Sequence, residues 1–132
     1  MSFLLDSHTL LWAITDQKKL SSKVLAILED ATNETFVSSV TFWEISLKFG
    51  LGKLDLHNIV PEDLPRLSEE TGFSFLPLLP IESAGYHMLN ATWHRDPFDR
   101  MLIWQAINNN LTLLSKDRNV AQYKSVGLRQ LW

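Results

Sequence analysis

Apolar positions along this chain follow two rhythms. Short runs, some apolar throughout, occur at FLL (3–5), TFVSSV (35–40), FSFLPL (73–78), LTLLS (111–115) and LRQLW (128–132). They are the right length for strands, rich in β-branched, aromatic and leucine side chains, and bounded by polar residues, glycine or proline. Between them lie longer segments whose apolar residues recur three and four apart, the spacing of one helix face. Asp6-Ser7 opens the first of these before HTLLWAI, and a serine caps SSKVLAILED (21–30). TFWEISLKFG (41–50) runs until Gly50 and Gly52 stop it. A helix from Pro61 through EDLPRLSEET ends at Gly72, with Pro65 the point where it shortens or bends. IESAGYHMLNA (81–91), PFDRMLIWQAINNN (97–110) and RNVAQYK (118–124) complete the set. Strands alternating with helices imply parallel pairing through right-handed crossovers, hence an α/β fold with a sheet covered on both faces.

Composition fits this picture. With 132 residues, 45% of them apolar and 20% charged, the chain can bury a sizeable core as one domain spanning 1–132. No repeat or linker divides it. Twelve Lys and Arg against fifteen Asp and Glu leave a net charge of −3, so no broad basic surface is available and any polyanion must be held locally. The absence of cysteine excludes disulfides, thiolate metal sites and cysteine nucleophiles, and agrees with a reducing cytoplasm. MSFLLD carries no basic leader and no apolar run reaches the roughly 18 residues of a membrane span, so a soluble cytoplasmic protein is expected.

Ligands of such sheets bind beyond the carboxyl ends of the strands, near the point where strand order reverses. Two strands lead into an acid there: FLL into Asp6, and LTLL through Ser115 and Lys116 into Asp117. Glu44 lies one turn into the helix that follows Ser38 and Ser39. Each has an ordinary explanation: Asp6 as an N-cap, Glu44 as an ion pair with Lys48 at i+4, and Asp117 as a turn residue. In HRDPFDR (94–100), helical phase separates two aspartates. Counting about 100° per residue from Pro97, Leu102, Ile103 and Ala106 lie near 140°, 240° and 180°, and Asp99 near 200° on the same inward stripe. Asp96 precedes Pro97 at the capping position, and that role accounts for it fully. An inward carboxylate such as Asp99 needs a partner.

One proposal covers Asp6, Glu44, Asp99 and Asp117: clustered carboxylates stay ionised together only if a cation neutralises them. Oxygen ligands without cysteine or paired histidines favour Mg²⁺ or Mn²⁺ over zinc. His8, His57, His87 and His94 fall in unrelated elements and do not suggest ligands. Such an ion activates a water and clamps phosphate oxygens, which is the chemistry of phosphodiester hydrolysis.

FLLDSHTLLW, SSVTFWEISLK, HRDPFDRMLIWQA and LLSKD, in this order and spacing, resemble the PIN domain family, in particular the VapC-like toxin ribonucleases of bacterial toxin-antitoxin pairs. The resemblance spans nearly the whole chain. It implies a three-layer α/β/α sandwich with a mainly parallel sheet, cleavage of RNA dependent on Mg²⁺ or Mn²⁺, and inhibition by a cognate antitoxin. The family's acidic positions fall on Asp6, Glu44, Asp99 and Asp117. Ser7 and Ser115 match small hydroxyl positions beside those acids, suited to orienting a carboxylate or a water.

Other classes fit less well. A receiver domain usually needs an adjacent acid pair after its first strand, where this chain reads Asp6-Ser7-His8; a haloacid-dehalogenase phosphatase wants a second Asp at residue 8. A catalytically degenerate PIN fold kept for protein binding is the non-enzymatic alternative. Arg95, Arg100, Lys116 and Arg118 flank the proposed site and suit phosphate contacts. Trp12, Trp43 and Trp104 lie off the core stripes of their helices. They are expected either at the edge of the core or on an aromatic surface for an antitoxin or for a second subunit of a homodimer.

Overall fold

A strand buried in a parallel sheet needs apolar side chains on both faces, and FLL supplies them. The computed structural model describes residues 1–90 and 96–132. In chain order the described strands are β1 (Ser2–Leu5), β2 (Glu34–Ser38), β3 (Ser74–Leu76), β4 (Thr112–Leu114) and β5 (Arg129–Leu131). The helices are α1 (Ser7–Thr15), α2 (Ser22–Glu29), α3 (Ser39–Gly50), α4 (Leu64–Glu70), α5 (Pro80–Gly85), α6 (Pro97–Asn108) and α7 (Arg118–Ala121). The sheet order is β3-β2-β1-β4-β5, parallel throughout. The chain winds outward from β1 through β2 to β3, then crosses back to β4 and on to β5. Strand order therefore reverses between β1 and β4, where Leu4 pairs with Leu113 and Leu5 with Leu114.

Alternation along the strands splits the interior in two. Phe3 and Leu5 of β1, Val37 of β2 and Leu114 of β4 pack with Leu10, Val24 and Leu64 on one face. Leu4 and Leu113 pack with Leu102, Ile103, Ala106 and Tyr123 on the other. Helix α3 serves both layers, giving Ile45 to the first and Val40 to the second. The result is the α/β/α sandwich.

Three elements depart from the pattern-based expectation. TFVSSV was expected to stay extended to residue 40, yet β2 stops at Ser38, whose hydroxyl oxygen accepts from the Val40 amide at 3.0 Å and caps α3. A serine here satisfies the orphan amide that a valine or isoleucine would leave open. The segment from Pro61 begins as a 3₁₀ turn (Pro61–Asp63), and α4 then starts at Leu64 with Pro65 in its first turn, where the missing N–H costs nothing. Of the two expectations for Pro65, shortening holds: the α-helix opens at Leu64, not at Pro61. The helix expected over 81–91 is α only to Gly85 and continues as a 3₁₀ turn at Tyr86–Met88; residue 91 lies outside the described residues. Gly85 sits so close to Trp104 that a Cβ would meet the indole Cζ2 at 3.3 Å.

Candidate active site

The site is built where the strand order reverses. Immediately after β1, Asp6 caps α1: its Oδ1 accepts from the Thr9 amide at 2.8 Å and from the Thr9 hydroxyl at 2.7 Å. Thr9 Oγ1 also contacts the Leu114 carbonyl at 2.8 Å, tying the start of α1 to the end of β4. Ser115, fully buried, hydrogen-bonds to Asp6 and accepts from the Asp117 amide at 3.2 Å. Burial raises the Asp6 pKa from its ordinary value, and the bonds from Ser115 and Thr9 oppose that shift.

Helix α3 brings Glu44 into the same cleft, only 4% exposed. The Ser7 hydroxyl donates to its Oε1, and Lys48, one turn further along α3, pairs with its Oε2. The i,i+4 pair anticipated from spacing thus exists, but it reaches into the cleft and joins the acidic cluster there. Asp117 caps α7 through Oδ1, which accepts from the Asn119 amide at 2.8 Å.

Helix α6 contributes two acids, not one. Asp99 faces inward with Leu102, Ile103 and Ala106, as helical phase predicts. Its carboxyl is pushed up to about 7, first by burial and then by the negative fields of Asp96, Glu44, Asp6 and Asp117. Asp96 does cap α6, accepting from the Phe98 amide at 2.9 Å and the Asp99 amide at 3.2 Å. Both bonds fall on Oδ1. One carboxylate oxygen each of Glu44, Asp96 and Asp99 lies within 4.8 Å of the others, and among the described residues this is the group spaced to hold a metal ion. The reading of Asp96 as a helix cap alone is therefore corrected: it caps the helix with one oxygen and joins the cluster as well. The sequence carried no signal for this second role, because it depends on how close α3 comes to α6.

These groups surround a cleft of about 400 Å³, lined by the acids Asp6, Glu44, Asp96, Asp99 and Asp117 together with Ser7, His8, Trp12, Lys48 and Lys116. Opposite ligands of an octahedral magnesium ion stand about 4.2 Å apart, twice the metal–oxygen distance. The spacing within the Glu44, Asp96 and Asp99 cluster and its oxygen-only donor set suit a hard divalent cation. Of the basic residues expected to face a phosphate, Lys116 lines the cleft and is exposed, and Arg118 is exposed at the start of α7. Arg100 is a correction. Its guanidinium donates to the Tyr86 hydroxyl at 3.0 Å, the Tyr123 hydroxyl at 2.9 Å and the Leu89 carbonyl at 2.9 Å, and it stacks near both tyrosine rings. It ties the first turn of α6 to the segments on either side, because its position on the helix points it away from Asp99. Arg95 and His94 lie outside the described residues.

The tryptophans divide. Trp12 sits at the cleft rim between His8 and Trp132, with ring centroids 5.6 and 5.7 Å away. Trp104 packs against the core, and its indole N–H donates to the Glu82 carbonyl at 3.1 Å. Trp43 is 61% exposed and meets Phe98 edge-on at 5.0 Å.

Comparison with known proteins agrees with this architecture. The family model described as PIN domain matches residues 3–126. Ribonuclease VapC22 of Mycobacterium tuberculosis (strain ATCC 25618 / H37Rv) is 26% identical over 121 residues, covering 92% of this chain and 91% of that protein. The crystal structure of VapBC2 from Rickettsia felis, bound to a DNA fragment from their promoter, superposes with a TM-score of 0.68 at 16% identity, over 99% of this chain and 98% of that one. FitAcB from Neisseria gonorrhoeae gives a TM-score of 0.60 at 19% identity, over 100% and 97%. At these identities the solved structures show a shared fold, and the family match spans almost the whole sequence. The chain belongs to the PIN domain family.

Proposed function

We propose that this protein is a metal-dependent endoribonuclease, the toxin of a toxin-antitoxin pair, with Asp6, Glu44, Asp99 and Asp117 as its acidic machinery and Asp96 as a further ligand. The observation that carries the reading is the convergence of five carboxylates, from four separate elements or their caps, on one cleft at the sheet's reversal point. Capping accounts for Asp6, Asp96 and Asp117 singly, but it does not call for five acids to share one cleft, where they repel each other. The relative named a ribonuclease supports the substrate class, and the VapBC and FitAcB neighbours support an antitoxin partner. Assembly as a homodimer and residence in the cytoplasm belong to the same reading. Among the described residues, no helix is long and apolar enough to cross a membrane.

Within this reading each residue has a defined task. Glu44, Asp96 and Asp99 would hold a Mg²⁺ or Mn²⁺ ion, which supplies positive charge for the phosphate and a water of lowered pKa. Asp6 and Asp117 close the cleft from the ends of β1 and β4, and Ser7 and Ser115 fix the Glu44 and Asp6 carboxylates in place. Lys116, exposed at the rim, would contact a neighbouring phosphate. The test is RNA cleavage with Mn²⁺ or Mg²⁺ and with excess chelator. Chelator should abolish it, and the product ends should be 5′-phosphate and 3′-hydroxyl, since water attacks in this scheme and the ribose 2′-hydroxyl does not. Undiminished cleavage in chelator, or 2′,3′-cyclic phosphate ends, would remove the mechanism.

A further inference from the structure

Lys48 is the one basic side chain in direct contact with an acid of the cleft among the described ion pairs. Its ammonium meets Glu44 Oε2, the oxygen left over after Ser7 takes Oε1. Glu44 is at the same time one of the three carboxylates spaced to hold an ion. Two cations therefore compete for one carboxylate. The Lys48 side chain is 38% exposed, so its flexible stem can carry the ammonium toward the cleft mouth without opening the core.

We propose that Lys48 is the resident counter-cation of the acidic cluster, exchanged for the divalent ion and then available to the phosphate of the bound strand. In the metal-free protein its charge offsets the repulsion among Glu44, Asp96 and Asp99. Uptake of a divalent ion displaces it from Glu44, and the freed ammonium then stands beside the substrate instead of against the ligand. Lys48 is thus a positioning residue in one state and a substrate contact in the other. The inference deepens the metal-dependent reading above and rests on it.

The experiment compares wild type with Lys48→Met, which keeps the helix-forming stem and removes the charge, and with Lys48→Arg, which keeps the charge. Calorimetric titration with Mn²⁺ should show Lys48→Met binding about tenfold more tightly, the factor that corresponds to about 1.4 kcal/mol, with Lys48→Arg near wild type. The metal-free Lys48→Met protein should melt at a lower temperature than wild type, and its KM for RNA should rise more than its kcat falls. As a check independent of any variant, the side-chain NMR signals of Lys48 in wild type should move on titration with Mg²⁺. Mn²⁺ binding that is weaker or unchanged in Lys48→Met, or Lys48 signals indifferent to Mg²⁺, would overturn the exchange and leave metal dependence standing. Failure of wild type to bind either ion would overturn both readings together.

Discussion

Three positions, most of one helical turn, separate the two aspartates of HRDPFDR, and their chemistry differs. Asp99, ordinarily near 3.8, titrates at about 7 because it is buried among other acids. An acid with a raised pKa favours the fold while it is protonated; that contribution is complete below its ordinary value and is lost as pH rises through about 7. Melting without metal should therefore fall between about pH 4 and pH 7, and Asp99→Asn should flatten that fall while abolishing metal-dependent cleavage. An equally steep pH profile in Asp99→Asn would assign the effect elsewhere. Asp96→Asn keeps a capping side chain but removes charge from the cluster. It should weaken Mn²⁺ binding about tenfold at unchanged stability, whereas Asp96→Ala should also lose roughly 0.5 to 2 kcal/mol of stability with the cap. Mn²⁺ binding untouched by both substitutions would return Asp96 to the cap role alone.

At the scale of elements, α5 and α6 are joined by a buried polar seam. Glu82, 6% exposed, accepts from the Leu79 amide at 2.9 Å, from Gln105 Nε2 at 3.1 Å and from Asn109 Nδ2 at 2.9 Å. Gln105, itself fully buried, also accepts from the Ser38 hydroxyl at 2.6 Å, linking α6 to the end of β2. Glu82→Ala would take the acceptor from one buried donor, Gln105 Nε2, and from two partly buried ones, so urea unfolding should show a loss of about 1 to 3 kcal/mol. Glu82 does not line the acidic cleft. The folded fraction should still bind Mn²⁺ with wild-type affinity, and a parallel loss of affinity would show that the seam also positions Asp99. Helical periodicity marks Glu82 and Gln105 only as polar residues on partly apolar helices. Their mutual satisfaction belongs to the packing of two helices.

For the molecule as a whole, the acidic cleft lies near a small apolar hollow lined by Val40, Trp43, Leu78, Tyr86, Pro97, Phe98 and Met101. Trp43 stands over it, exposed and backed by Phe98. An inhibitory antitoxin would satisfy both features by laying apolar side chains on the hollow and an arginine or lysine among the carboxylates. Trp43→Ala should then leave melting temperature and nuclease activity near wild type and weaken the inhibitory complex at least tenfold, a typical loss for a central aromatic contact. Trp12→Ala should behave differently, lowering stability, because its ring is held between His8 and Trp132. Equal loss of fold, activity and binding on removing Trp43 would place that ring in the core instead.

The order of strands and helices, the parallel sheet they imply and the inward phase of Asp99 were all legible in the sequence, because periodicity reports how each residue faces relative to its own element. The position of Asp6, Glu44, Asp99 and Asp117 around one cleft was legible too, since the open end of a parallel sheet is defined by chain direction, although of these four only Glu44 and Asp99 belong to the close-spaced oxygen group. What required the tertiary structure was everything that depends on the distance between elements. Asp96 reads as a cap from its neighbours in sequence, and only the approach of α3 to α6 brings its carboxylate within reach of Glu44 and Asp99. Arg100 reads as a phosphate ligand beside an acid, and only the folding of Tyr86, Leu89 and Tyr123 around it directs its charge elsewhere. The Lys48 pair was evident as a spacing, but its place inside the cleft was not. Local pattern specifies which side of an element a group occupies; which groups meet there is settled by how separate elements pack.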